Sequence, residues 1–206
     1  MRLRAADPAR VATPLAIGLG LAALATRQPS RWAVLVTVGV GAVGLIAPLP
    51  SGPREVSAAA ARPGSSRPSA GTWLGAVALG VGALLLAGRL PSMLGIGPPA
   101  GVLVPHAGVA AVTASVVAAV AEELFFRRLV FGWLAVCFGA GGPAVAVCGS
   151  ALAFAAVHVP VYGLAVLPID AAAGALLGWQ RWITGGWSAS GLTHVVANLI
   201  AEGVIA

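Results

Sequence analysis

The sequence predicts an all-α membrane protein, folded as a polytopic bundle of about seven transmembrane helices. Of its 206 residues, 59% are hydrophobic and only 9% are charged, whereas about a quarter of the residues in a soluble domain are charged. Apolar runs recur along the chain, separated by turns rich in Gly, Pro and Arg, and this pattern is typical of successive membrane-spanning helices. The composition therefore excludes an ordinary soluble domain.

The basic residues lie mainly in the predicted loops, and every one of them is Arg. Basic loops beside apolar spans orient the helices and contact anionic lipid headgroups. The net charge of +6 therefore predicts the lipid bilayer as a partner and does not support a nucleic-acid partner. Because the richness in Ala, Gly and Arg is typical of a GC-rich bacterial genome, we expect a bacterial plasma-membrane protein.

The first three predicted helices carry few polar side chains. The first, at residues 11–25, would measure about 22 Å, which is shorter than the hydrocarbon core of about 30 Å. The second, at 32–49, begins with an interfacial Trp and ends beside two Pro residues. Residues 51–70 are rich in Pro, Ser and Arg, and they predict an exposed loop before the third helix at 72–90.

Four further helices follow. The fourth begins between residues 102 and 109 and runs to 138, where a Gly- and Pro-rich break precedes the fifth helix at 143–159. The sixth is predicted at about 163–183 and the seventh at 187–205. The predicted domain organisation is an N-terminal transmembrane hairpin (1–50), an exposed loop (51–70) and a transmembrane bundle (71–206).

Ionisable side chains inside an apolar span cost about 2.5 to 3.5 kcal/mol each on insertion scales, so they usually face a cavity or a partner. Glu123 and Arg127 stand four residues apart with the acid first, so they can neutralise each other on one helix face. Glu122 lies about 100° around an α-helix from Glu123, in an apolar setting that suits a general base. Alternatively, both acids serve only Arg127 and Arg128 as structural partners. The other polar side chains within the predicted spans are His158, Asp170, His194, Asn198 and Glu202.

The break between the fourth and fifth helices predicts which of these side chains meet. In an antiparallel hairpin Glu122 and His158 lie at one depth, because they are equally far from position 140. The seventh helix re-enters the membrane with His194 and Asn198 on one face, since they are one turn apart. Each of these features alone is more typical of helix capping or packing. Together they bring an acid, two imidazoles and an amide into one cavity.

Three motifs in this region resemble those of the CPBP family, the type II CAAX prenyl protease and bacteriocin-processing (Abi) intramembrane endopeptidases. Glu-Glu-x-x-x-Arg is matched by Glu122, Glu123 and Arg127, Phe-x-x-x-His by Phe154 and His158, and His-x-x-x-Asn by His194 and Asn198. Each motif alone is weakly specific, but three in this order on a helical membrane chain are strongly specific. The resemblance covers residues 102–205, which form the predicted catalytic core.

The resemblance implies an intramembrane endopeptidase that hydrolyses peptide bonds of a membrane-associated protein or peptide, without a cofactor. The residues it implies are Glu122 and His158 to activate water, His194 and Asn198 to stabilise the oxyanion, and Glu123, Arg127 and Phe154 in support.

Two alternatives stay open at the level of sequence. Glu122, His158 and His194 could instead bind Zn²⁺, as one carboxylate and two imidazoles with an open fourth position. The same polar core could also bind a peptide without cleaving it, in a non-catalytic bacteriocin-immunity or scaffold protein. Asp170 is expected to interact with the free N–H groups of the sixth helix rather than to act in catalysis. Tyr162 stands where some relatives have an Asn.

Overall fold

The computed structural model describes residues 8–25, 31–47, 68–93, 108–138 and 142–201. Within these residues the chain forms seven helices and no strand, which confirms the predicted all-α bundle. In chain order they are α1 (Pro8–Ala25), α2 (Arg31–Ile46), α3 (Ala70–Met93), α4 (Val109–Cys137), α5 (Gly142–Tyr162), α6 (Leu167–Thr184) and α7 (Ser188–Ala201).

Three of the described helices are long and apolar enough to cross a membrane: α3 over Ala70–Ala87, α4 over Val109–Cys137 and α5 over Gly142–Pro160. Helices α1 and α2 contain shorter apolar stretches. Exposed Leu side chains line these helices, with Leu74, Leu79 and Leu86 of α3 all more than half exposed. An apolar exterior of this kind is the surface that a lipid-facing helix presents to the bilayer.

The helices surround α4. Helices α1 and α2 pack on each other, and α2 packs along α4, while α3 packs against α6 and α7 on the other side. Helices α5 and α6 also pack extensively on each other. The contact between α2 and α4 means that the N-terminal hairpin lies directly against the helix with the acidic pair. Most of the predicted exposed loop, residues 51–67, lies outside the described residues.

Helix α4 changes its winding at the acidic pair. It is α-helical over Val109–Glu122, π-helical over Glu123–Val130 and α-helical again over Phe131–Cys137. The N–H of Phe131 accordingly donates to the carbonyl of Phe126, five residues back. The sequence predicts an ordinary α-helix here. Because a π-helical turn holds more residues than an α-helical turn, successive side chains diverge less around the axis, and such turns are frequent at functional sites.

Glycines of α1 and α2 let these helices approach the π-helical segment closely. A Cβ atom on Gly44 would lie 2.6 Å from the backbone carbonyl carbon of Leu124 and from the amide nitrogen of Phe125. A Cβ on Gly18 would overlap the ring of Phe125. The aromatic side chains of the segment fill the core formed by α1, α2 and α5. The N-terminal hairpin therefore supports the segment that carries the acids.

Replacing Gly44 with Ala is expected to destabilise the protein by about 1 to 3 kcal/mol, because the added methyl group meets rigid backbone of α4. Gly39→Ala is the matched control, since a Cβ there has only an ordinary contact, 3.8 Å from Leu21 Cδ1, and Ala favours helix formation. Thermal unfolding of the two variants in detergent micelles measures the difference. Equal stability of both variants would show that α2 does not pack on α4 as described.

Candidate active site

The carboxylate of Glu122 lies between two imidazoles that come from two other helices. Its Oε1 is 4.0 Å from Nε2 of His158 on α5, and its Oε2 is 3.8 Å from Nε2 of His194 on α7. The three side chains are 24%, 17% and 11% exposed, respectively, so the group is enclosed but open on one side. The structure therefore brings Glu122 together with His158, as the hairpin symmetry predicts, and with His194, the second predicted imidazole.

Glu123 lies behind this group and is completely buried. Its Oε1 is 3.2 Å from Nδ1 of His194 and 3.7 Å from Nε of Arg127, which is also completely buried. The ring of His194 thus has a carboxylate on each side, Glu122 at Nε2 and Glu123 at Nδ1. The two neighbouring acids therefore reach the same imidazole, and the π-helical segment begins at the second of them, Glu123.

The surroundings of Glu122 and Glu123 differ from those that the sequence predicts. Helical periodicity predicts an apolar face around Glu122, but the neighbouring aromatic residues Phe125 and Phe126 turn towards α1, α2 and α5, where both are fully buried. The most enclosed acid is therefore Glu123, and Glu122 faces the imidazoles. The physical reason is that α1 and α2 pack on α4 and take up its aromatic side chains.

Phe154 packs between the charged groups. Its ring lies 5.0 Å from the guanidinium carbon of Arg127, a cation–π arrangement. Its centroid is 4.6 Å from that of His158 and 5.9 Å from that of His194. The ring of Phe154 thus contacts three of the charged or titratable side chains and limits their movement.

Arg181 of α6 joins the buried cluster, although the sequence analysis does not include it. Its Nε donates to the backbone carbonyl of Arg127 at 3.2 Å, and its guanidinium carbon lies 5.3 Å from the ring centroid of Phe131. Arg181 is the one charged residue in the second half of the predicted sixth helix. A charge within an apolar span is the signal that identifies such a residue. Arg128, in contrast, reaches the end of α2, where Nη1 donates to the carbonyls of Gly44 and Ala47.

Two residues beyond the three motifs contact the ring of His158. Tyr162 stacks on it, with ring planes at 14° and centroids 6.0 Å apart. Tyr162 lies beyond the apolar part of α5, and burial, together with the nearby carboxylates of Glu122 and Asp170, raises the pKa of its phenol. Asp170 lies in the first turn of α6, as predicted, but its Oδ2 is 3.9 Å from Nδ1 of His158. The structure thus places Asp170 at the candidate site.

Asn198 lies one turn beyond His194 and does not contact Glu122. Its Nδ2 is 3.5 Å from the backbone carbonyl of Ser115 on α4. An amide nitrogen carries two N–H donors, so this contact uses only one of them. Glu202 lies outside the described residues.

The zinc alternative requires Glu122, His158 and His194 to bind one ion, each at about 2.0 to 2.2 Å. Among the residues that the structure describes, no group of three His, Cys, Asp or Glu side chains is arranged to hold a metal ion.

The fold and the site together define a helical membrane protein with a buried acid–base centre, in which one carboxylate contacts imidazoles from two other helices. The model of the family described as "Type II CAAX prenyl endopeptidase Rce1-like" matches residues 105–200. This match confirms, over residues 105–200, the resemblance to the type II CAAX prenyl endopeptidases that the three motifs indicate. The matched residues include all four predicted catalytic residues. Comparisons with curated proteins and with solved structures give no match.

Proposed function

We propose that this protein is an intramembrane endopeptidase that hydrolyses a peptide bond of a membrane-associated protein or peptide in the bacterial plasma membrane. The observation that carries the proposal is the position of Glu122, within 4.0 Å of imidazoles from two other helices and in the segment that the family match covers. The family supports a protease in general. The roles of the individual residues follow from their contacts and from general chemistry.

Glu122 is the general base. A gap of 4.0 Å between its Oε1 and Nε2 of His158 is wider than a hydrogen bond, and one water molecule bridges such a gap by contacting both atoms. Glu122 takes a proton from this water as the water oxygen adds to the scissile carbonyl carbon. The C–N bond then breaks, and the same proton passes from Glu122 to the amine nitrogen of the leaving fragment. His158 accepts a hydrogen bond from the water through Nε2 and so orients it.

His194 and Asn198 stabilise the oxyanion. When the His194 ring carries both protons, it donates one N–H to Glu123 and keeps the other for the developing negative charge. Asn198 has a second N–H besides the one that faces Ser115. Each such donor is worth about 2.7 to 4 kcal/mol in other proteases. The buried pair of Glu123 and Arg127 supports this arrangement, because Glu123 contacts His194 directly.

The test is cleavage in proteoliposomes. We expect the purified protein to cleave at least one member of a panel of prenylated CAAX peptides and hydrophobic transmembrane peptides, with a new amino terminus identified by mass spectrometry. We also expect the active protein to hold less than stoichiometric zinc by elemental analysis, and the rate to be unchanged after chelation, because in the proposed mechanism Glu122 rather than a metal ion activates the water.

The cleavage assay and the zinc measurement test different parts of the proposal. If no panel member is cleaved, the protease proposal is overturned and the peptide-binding alternative is favoured. Binding of the same peptides without cleavage tests that alternative. Cleavage that requires stoichiometric zinc would keep the protease and overturn the metal-free mechanism. Liposomes containing the Glu122→Gln variant are the control for a contaminating protease.

A further inference from the structure

The carboxylate of Asp170 takes no part in the proposed mechanism. Its Oδ2 is buried and has no hydrogen-bond partner among the residues that the structure describes. A buried carboxylate oxygen without a partner is costly, so it needs a compensating contact. On the opposing helix, Nδ1 of His158 lies 3.9 Å from this oxygen. The side chain of Asp170 is therefore directed at the proposed active site.

The ring of His158 has different surroundings at its two nitrogens. Nδ1 is 2.8 Å from the carbonyl oxygen of Phe154, and because a carbonyl oxygen only accepts, Nδ1 carries the hydrogen in this contact. Asp170 supplies a second acceptor on the same side. Nε2 points the other way, towards Glu122. Two acceptors at Nδ1 keep Nε2 free to accept a hydrogen bond on the side of the reacting water.

The faces of the ring are also held. The ring of Phe154 packs at 4.6 Å between centroids with a tilt of 49°, and the ring of Tyr162 stacks nearly parallel. These contacts restrict tilting of the imidazole, but they do not distinguish one ring nitrogen from the other. The imidazole has two orientations, which differ by a flip of the ring. The acceptors at Nδ1 determine which of the two it adopts.

We propose that Asp170 is a positioning residue, which with the Phe154 carbonyl holds His158 so that Nδ1 carries the hydrogen and Nε2 faces the reacting water. The effect of Asp170 on turnover rests on the proposed function, because it requires that the protein cleaves peptides. The arrangement resembles in its logic the acid that orients the histidine of a catalytic triad. The distance of 3.9 Å is longer than a hydrogen bond, and such contacts often shorten when substrate binds.

The first experiment measures turnover of a cleaved panel peptide. Asp170→Ala is expected to lower kcat about 10- to 100-fold with KM nearly unchanged, as the loss of an orienting partner does in other enzymes. Asp170→Asn keeps an acceptor oxygen and is expected to retain more activity than Asp170→Ala. Ala172→Asn is the matched control, because residue 172 is exposed and lies on the same helix. Full activity of Asp170→Ala would overturn the proposal.

The second experiment does not depend on turnover. Nitrogen NMR of histidine-labelled protein in micelles reports which ring nitrogen carries hydrogen. We expect His158 to be protonated at Nδ1 in the native protein and to populate a second form in Asp170→Ala, while the signals of His194 stay unchanged and show that the bundle is intact. An unchanged His158 signal would overturn the positioning role even if no substrate is found. If Glu122→Gln loses peptide cleavage while Asp170→Ala keeps full activity, the proposed function is supported and the positioning role of Asp170 is overturned.

Discussion

Replacing Glu122 with Gln is expected to lower kcat about 100- to 10,000-fold, which is the usual contribution of a general base. The amide keeps the size of the side chain but cannot take a proton from water. Glu122 is partly exposed, and Gln can keep its polar contacts with the two imidazoles, so the variant is expected to fold and insert normally. Peptide cleavage in proteoliposomes measures the rate, and unfolding in micelles checks the fold.

The conservative variant Glu122→Asp provides the control, because it keeps a carboxylate and moves it back by one methylene group. It is expected to retain more activity than Glu122→Gln. Substrate binding to Glu122→Gln should persist, so the variant can capture uncleaved substrate for identification by mass spectrometry. A Glu122→Gln variant that cleaves peptide at the native rate would rule out the assigned base.

Removing Arg127 is expected to destabilise the protein by about 3 to 5 kcal/mol, the usual cost of breaking a buried ion pair from one side. Both Arg127 and Glu123 are completely buried, so Arg127→Leu leaves a buried carboxylate without its guanidinium partner. Glu123→Gln leaves a guanidinium that already has buried nitrogens without hydrogen-bond partners. Unfolding by SDS in mixed micelles, followed by Trp fluorescence, measures the loss.

A double-mutant cycle measures the interaction energy between Glu123 and Arg127 separately from their contacts with other residues. Because the double variant Glu123→Gln/Arg127→Leu leaves no unpaired charge, it should cost less than the sum of the two single variants, with a coupling of about 0.5 to 3 kcal/mol. Arg128→Gln is the matched control, since Arg128 is only partly buried and donates to backbone carbonyls of α2. Additive single effects, or an equal loss in Arg128→Gln, would contradict the central role of the buried pair.

The sequence predicts most of the fold. Seven helices, their approximate bounds and the break between α4 and α5 follow from apolar length and from the positions of Gly and Pro, and the structure has the same helices. These features are local, because a span is defined by its own composition. The π-helical winding at Glu123–Val130 has no local signal that we recognise. It accompanies the close packing of α1 and α2 on this segment.

The sequence also predicts part of the candidate site, and the tertiary structure determines the rest. Hairpin symmetry predicts that Glu122 meets His158, and the spacing of Glu123 and Arg127 predicts their pairing. Sequence reasoning assigns Asp170 to its own helix, because a first-turn acid is usually explained locally. The contact with His158 depends instead on the distance between α5 and α6, which is set by how the two helices pack and not by the spacing of residues within either helix.

By itself the sequence determined the class of protein, the order of its helices and the short set of polar residues able to do chemistry, since each follows from the cost of placing charge in an apolar span. The tertiary structure decided which of the two adjacent acids is enclosed and which faces the imidazoles. It also brought Arg181 and Asp170 to the cluster. The physical reason is that helix periodicity fixes directions around one axis, whereas burial and contact depend on how neighbouring helices pack against it.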